Sequence, residues 1–316
     1  MPARKAKVDL SHRPRLADLR PLIPASPTMT LMEARAATKK VTPAKDLQDR
    51  HGYAEEFLSS FVVPWPTVDE ALAGDVQALD TGGTRLDYLH FSVTMSRSRR
   101  LALYVGVNID GGQQVEVPRS NDTWAYDGRL PVSAQVGDEL YASNGLDRGH
   151  LVRRQDPNWG EEATLANLDT FHFTNCSPQM SAFNQKTWLE LEDYILDNTR
   201  RWKARATVFT GPVLAADDRV YRGVKIPKAF WKVVAYLGDD GKPSASAYMI
   251  DQSRELDQLD LVFGQLRTYR RSVLQIEQLT GIQFANLADY DGFSNEERAT
   301  GTHIEALIQG PEDIRL

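Results

Sequence analysis

The sequence predicts an α+β fold: a mainly antiparallel central sheet with helices packed on it. Strand-like runs rich in Val, Leu, Tyr and Phe recur from about residue 85 to residue 250, separated by Gly, Pro and Asp turn signals. Residues 181–203 and Val273–Leu279 carry helical patterns among those strands, a mixture that points to α+β. At 316 residues, 41% hydrophobic and 25% charged, the chain has the length and composition of a globular protein with one large domain or a domain plus an extension.

Taken in order, residues 1–62 read as a basic, partly extended N-terminal extension. Its first 45 residues hold ten Lys and Arg from Arg4 to Lys45 and prolines at 2, 14, 21, 24, 27 and 43. A solvated tail and a docking or regulatory arm are both open readings. Thr30–Thr38 could make a short helix. Leu47, Tyr53, Phe57, Leu58 and Phe61 fall at roughly helical spacing, so a linker helix over 44–62, ended by Pro64 and Pro66, is expected. Residues 63–316 form the main domain. Strands are expected over 86–94 and 101–109, with a short strand or edge segment at 115–119. A turn at Asp156–Gly160 and a short strand at Phe171–Thr174 follow. The helix 181–203 comes next, then strands at 208–214, 229–237 and 244–250, and a helix closed by Gly281.

The formal net charge is -6, which argues against a protein coated in basic charge yet leaves room for a local basic groove. The single cysteine, Cys176, rules out an intrachain disulfide, and no His or Asp stands close to it in sequence to make it a nucleophile. No apolar h-region follows Met1–Lys7, and no apolar run is long enough to span a membrane. The expectation is a cytoplasmic protein with no membrane partner, organellar targeting being left open.

Chemistry concentrates in Asp147-Arg148-Gly149-His150, in Asn175-Cys176-Ser177-Pro178-Gln179, and in the start of the helix 181–203. A histidine of ordinary pKa, about 6.5, is largely neutral at pH 7 and can take a proton from water. His150 alone reads equally well as structural. Arg148 beside it offers a planar fork to a phosphate, Gly149 permits an unusual backbone or the close approach of a ligand, and Asp147 orients the loop. Asn184, Trp188 and Glu192 are four residues apart on the expected helix, each step turning the side chain by about 40°, so they share a face. The rise from Asn184 to Glu192 is about 12 Å. Asn184 is therefore assigned as a direct metal ligand and Glu192 as the partner of a metal-bound water, an arrangement suited to magnesium. The plain alternatives are a helix N-cap for Asn184 and an exposed helix position for Glu192. Asn175 and Gln179 either brace the catalytic loop or are simply turn residues. Arg153, Arg154 and Lys186 form a solvated face or contact a polyanion backbone.

Asp147-Arg148-Gly149-His150, then Asn175-x-x-Pro178-Gln179, then Asn184-x-x-x-Trp188-x-x-x-Glu192, resembles the DNA/RNA non-specific endonuclease family, the ββα-metal or His-Me finger group. The resemblance runs from about residue 85 to about 290 and includes Val208–Val213, Ile226–Lys232 and Ile276–Gly281. It implies His150 as general base, Asn184 as the sole direct protein ligand of magnesium (manganese substituting), Arg148 near the scissile phosphate and Glu192 acting through water. Val117-Pro118-Arg119-Ser120 looks like the family stretch that carries an upstream catalytic arginine, so Arg119 is implied in transition-state stabilisation. The implied activity attacks both DNA and RNA and leaves 5′-phosphate ends. A homodimer is implied by analogy alone. The extension suggests control by a regulatory protein or a protease. A non-catalytic nucleic-acid-binding module and a phosphodiesterase for a smaller substrate are the rival readings.

Overall fold

The structure, a computed structural model, describes residues 9–15, 40–80, 82–119, 123–180, 195–201, 203–238, 240–253 and 267–308. Ten strands organise it: β1 (Arg85–Asp87), β2 (Phe91–Met95), β3 (Ala102–Asp110), β4 (Leu146–His150), β5 (Cys176–Met180), β6 (Arg205–Val213), β7 (Ala229–Leu237), β8 (Pro243–Asp251), β9 (Arg267–Arg271) and β10 (Ala306–Ile308). Eight of them make one sheet in the order β10-β9-β8-β7-β6-β3-β2-β1. Every neighbouring pair in it is antiparallel, as expected. The fold is α+β.

The central strands are apolar on both faces because both faces are covered. On β7, Phe230 and Val234 join Val105, Val107, Val208, Tyr248 and Ile250 in one cluster. Trp231, Val233 and Ala235 join Phe209, Val273, Ile276 and Phe284 in the other. A strand buried on two sides loses the polar–apolar alternation of a half-exposed one. The second face is covered in part by α3 (Val273–Thr280), which starts on a Ser272 cap and ends on Gly281 at φ 70°. There the left-handed backbone favours glycine. α1 (Asp138–Tyr141) and α2 (Ala163–Asp169) lie between β4 and its neighbours in sequence.

Four local expectations are corrected. Residues 44–62 are not a helix: a 3-10 turn at Ala44–Leu47 is followed by turns and single bridges. Gly52 at φ 74° and Ser59 at φ 63° interrupt any helix there. Leu47, Tyr53, Leu58 and Phe61 are nonetheless buried, because the segment inserts against the sheet. Val41-Thr42 pairs in parallel with Tyr126-Asp127, and Arg50 Nε sits 2.7 Å from Asp169 Oδ2 in a buried ion pair. The run 86–94 is not one strand but the β1–β2 hairpin, turned at His90 with φ 67°. Residues 115–119 are not a strand. Residues 171–179 are not a strand at Phe171–Thr174 followed by turn residues: Phe173–Asn175 is a 3-10 turn and Cys176–Met180 is β5. The Thr30–Thr38 helix and most of the 181–203 helix lie outside the described residues; 195–201 is helical.

Candidate active site

β4 and β5 form a two-stranded antiparallel ladder of their own, in which Asp147 faces Gln179, Arg148 faces Pro178, Gly149 faces Ser177 and His150 faces Cys176. β4 ends on His150. The next two residues, Leu151 and Val152, are buried in the sheet's first cluster beside Ile195 and Leu196 of the helical segment. His150 thus stands at the joint between a strand and a packed core, held from both sides.

Asn175 locks that joint. Its Oδ1 accepts the Val152 N–H at 2.8 Å, its Nδ2 donates to the Val152 and Thr170 carbonyls at 2.9 and 3.0 Å, and its own carbonyl accepts the Leu151 N–H at 3.0 Å. The side chain is wholly buried, so these bonds replace water completely. Asn175 is also the last residue of the 3-10 turn Phe173–Asn175.

Gly149 is required for a reason the sequence did not suggest. Its backbone is not left-handed. A Cβ there would lie 2.0 Å from Gln179 Oε1 and 2.1 Å from its Cδ. The close approach is made by Gln179 itself. Both amide atoms of the fully buried Gln179, and the Ser177 hydroxyl on the same side of the ladder, have no hydrogen-bond partner among the described residues. Buried polar atoms are usually hydrogen-bonded, and an ordered water or ion is one means of satisfying these.

The His150 ring packs against Trp124 (centroids 4.6 Å apart) and edge-on against Phe171 (4.9 Å). Part of the residue's surface stays open, but Nε2 is buried and has no hydrogen-bond partner among the described residues. Burial, and then the cations Arg154, Arg119 and Arg153, push the ring's pKa down to about 3. The imidazole is therefore neutral at any physiological pH. Around it a globally acidic chain presents a local cluster of positive charge. Trp124 and Phe171 were not foreseen: they meet because the Ala125 N–H donates to the Phe171 carbonyl (2.9 Å), a pairing of distant segments with no local sequence signal.

Arg119 is exposed, at the end of an arm, residues 113–119, laid along the loop that follows His150. Val115 N–H donates to the Asn158 carbonyl at 2.7 Å, and Gly160 N–H to the Gln113 carbonyl at 3.0 Å. Arg148 lies on the same face of β4 as His150, two residues away. Its Nε and Nη2 stand 2.8 and 2.6 Å from Asp138 Oδ1, and its guanidinium lies over the Tyr141 ring. Asp138, at the start of α1, is a second partner the sequence did not reveal. Cys176 is buried, donates to the Tyr141 hydroxyl at 3.2 Å, and has its thiol pushed up to about 12 by burial, so it is no thiolate nucleophile. Asn184, Lys186 and Glu192 lie outside the described residues. Among the described residues no three His, Cys, Asp or Glu side chains gather as a metal-binding group, and no helix is long and apolar enough to cross a membrane.

The chain is 38% identical to the uncharacterized protein y4fB of Sinorhizobium fredii (strain NBRC 101917 / NGR234), over 92% of its own length and 48% of the relative's. It is 30% identical to mitochondrial endonuclease G of Homo sapiens over 35% of its length and 40% of that protein's. It thus spans less than half of these curated relatives. In three dimensions it is similar to a crystal structure of the EndoG/EndoGI complex, with a TM-score of 0.51 and 18% identity, covering 64% of this chain and 86% of the other, a likeness of fold. The DNA/RNA non-specific endonuclease family profile matches residues 73–291, a span that contains the β4–β5 ladder, His150 and the whole central sheet up to β9. By that match the chain belongs to the DNA/RNA non-specific endonuclease family.

Proposed function

We propose that the protein is a magnesium-dependent, sugar-non-specific endonuclease that hydrolyses phosphodiester bonds of DNA and RNA. The observation that carries the reading is His150 at the end of β4, whose buried Nε2 is unpartnered among the described residues, with Arg119, Arg153 and Arg154 supplying positive charge around it. A neutral ring nitrogen accepts a proton, and a cationic surround attracts a phosphodiester. In this scheme Nε2 takes the proton of a water attacking the phosphorus in line. Arg119 stabilises the charge that develops, and Arg153 and Lys186 hold the backbone of the nucleic acid. Arg148 reaches the scissile phosphate by exchanging Asp138 for it.

The donor set fits a hard, well-hydrated cation: Asn184 would offer a neutral amide oxygen and Glu192 a carboxylate acting through water. Magnesium would be held by Asn184, with Glu192 acting through a bound water, and manganese would substitute. When bound, it supplies positive charge to the phosphoryl oxygens and the departing 3′ oxygen. Asp147, Gly149, Asn175 and Gln179 keep the ladder in register around His150. The same proposal includes a homodimer, a cytoplasmic site of action, and control through residues 1–62 by a regulatory protein or a protease. A neighbour in fold, EndoG, has been crystallised with EndoGI in a study of its inhibition.

The test is degradation of plasmid DNA and of RNA, with magnesium or with EDTA, by the wild type and by His150→Ala. Removing a general base lowers the rate by about 10²–10⁴-fold, and EDTA abolishes the wild-type activity. Cleavage by a folded His150→Ala at the wild-type rate refutes the assignment. Binding of nucleic acid without any cleavage by the wild type makes the protein a binding module instead.

A further inference from the structure

We propose that Arg154 is a positioning residue for Arg119: its guanidinium pins the Val117 carbonyl and so holds the 113–119 arm with Arg119 facing the site of His150. This rests on the endonuclease reading above, in which Arg119 meets the phosphate.

The arm has little structure of its own. One bridge, Gln114 with Trp159, ties it to the loop after His150, supported by Gln114 Nε2 donating to the Gln155 carbonyl at 2.7 Å. The last of its backbone N–H bonds to that loop is Val115 to Asn158. Glu116, Pro118 and Arg119 are exposed. Among the described residues, the hydrogen bond to the arm nearest Arg119 is the one from Arg154 Nη1 to the Val117 carbonyl, at 3.0 Å. Its donor is firmly mounted. The Arg154 carbonyl accepts the Nδ2 of the buried Asn167 on α2, also at 3.0 Å. A charge-assisted bond from a fixed base to the middle of a loosely held arm limits where the arm's end can swing. Arg154 and Arg119 are both among the charges that oppose a proton on the His150 ring. An arginine engaged with the protein's own backbone serves the reaction through Arg119 rather than as one more phosphate contact. The distinction matters because a misplaced catalytic group costs rate even when binding is intact.

The experiment is a double-mutant cycle in the full chain, with Arg154→Ala, Arg119→Ala and both, read as kcat and KM on plasmid DNA with magnesium. Hydrogen exchange of residues 113–119 is followed in parallel. Arg154→Ala is expected to lower kcat by about 10²-fold, the order of loss for a displaced catalytic group, with KM little changed. In the Arg119→Ala background the same substitution is expected to cost less than about threefold, because the interaction it supports is already gone. Exchange in 113–119 speeds up in Arg154→Ala while that of 229–237 is unchanged. Should Arg154→Ala not fold, Arg154→Met keeps the length of the side chain without its donors and makes the same test. Multiplicative losses, or exchange in 113–119 that stays at the wild-type rate, overturn the proposal. If the wild type cleaves neither DNA nor RNA, the endonuclease reading fails, and exchange still decides whether Arg154 holds the arm.

Discussion

Acidification should penalise this fold through His150, by an amount the surroundings of the ring set. The imidazole is wedged between Trp124 and Phe171, its Nε2 is buried, and Arg119, Arg153 and Arg154 oppose a positive charge on it. Its pKa falls to about 3, against about 6.5 for a histidine in an unfolded chain. The sign follows from linkage. Above about pH 6.5 neither state binds the proton and stability is fully retained; below it the unfolded chain takes the proton first, and stability drains away until the folded pKa is passed. At pH 4.5, two units into that window at 1.36 kcal/mol per unit, the loss is about 3 kcal/mol. Part of the residue's surface is open, so solvent screening makes this a ceiling. The assay is urea unfolding of the wild type and of His150→Gln at pH 7 and at pH 4.5. Groups that titrate in both proteins cancel in the difference. The wild type is expected to lose up to about 3 kcal/mol more than the variant, and the ring nitrogens of His150, followed by NMR, are expected to remain unprotonated at pH 4.5. Parallel losses in the two proteins, with His150 titrating near pH 6.5, would refute the claim that burial and the arginines control it.

Two further outcomes test the scaffold of the site. Gly149→Ala drives a Cβ to 2.0 Å from Gln179 Oε1 and is expected to destabilise by about 1–3 kcal/mol; Gln179→Ala should relieve most of that in the double variant, and additive losses by urea unfolding would count against the stated clash. Asn175→Ala strips the bonds to Val152 and Thr170 from a buried site and is expected to cost about 2–4 kcal/mol, seen as a lower melting temperature together with slower nucleic-acid cleavage; an unchanged melting temperature would show that the clamp contributes nothing.

Much of the scaffold was legible because it is local. Strand β7 was read with its observed ends, and β8 to within a residue at each, because a Gly-Asp-Asp-Gly turn separates two long runs of β-favouring residues. Helix α3 was announced by its own periodicity and by Gly281. Where local spacing misled, backbone conformation was the cause. Five apolar residues between 47 and 61 mimic a helical stripe, yet residues with positive φ break the segment, and its side chains are buried by insertion rather than by amphipathic packing. The 86–94 run looks like one strand because the reversal at His90 uses no glycine or proline. β9 and α4 (Gly292–Thr300) passed unread, for their polar and charged side chains hide the pattern.

The chemistry divides in the same way. Residue types and spacing were enough to select the family, since the residues of each motif lie within a few positions of one another on the chain. Sequence also carried the demand for glycine at 149, though not its reason. The charge state of His150 was decided only by tertiary structure. Trp124 and Phe171 desolvate the ring and Arg119 approaches it through pairings between segments far apart in sequence, and Asp138 takes Arg148 in the same manner. Hydrogen-bond registry and burial depend on which surfaces meet, and a pKa depends on distance in space, so neither is encoded in spacing along the chain.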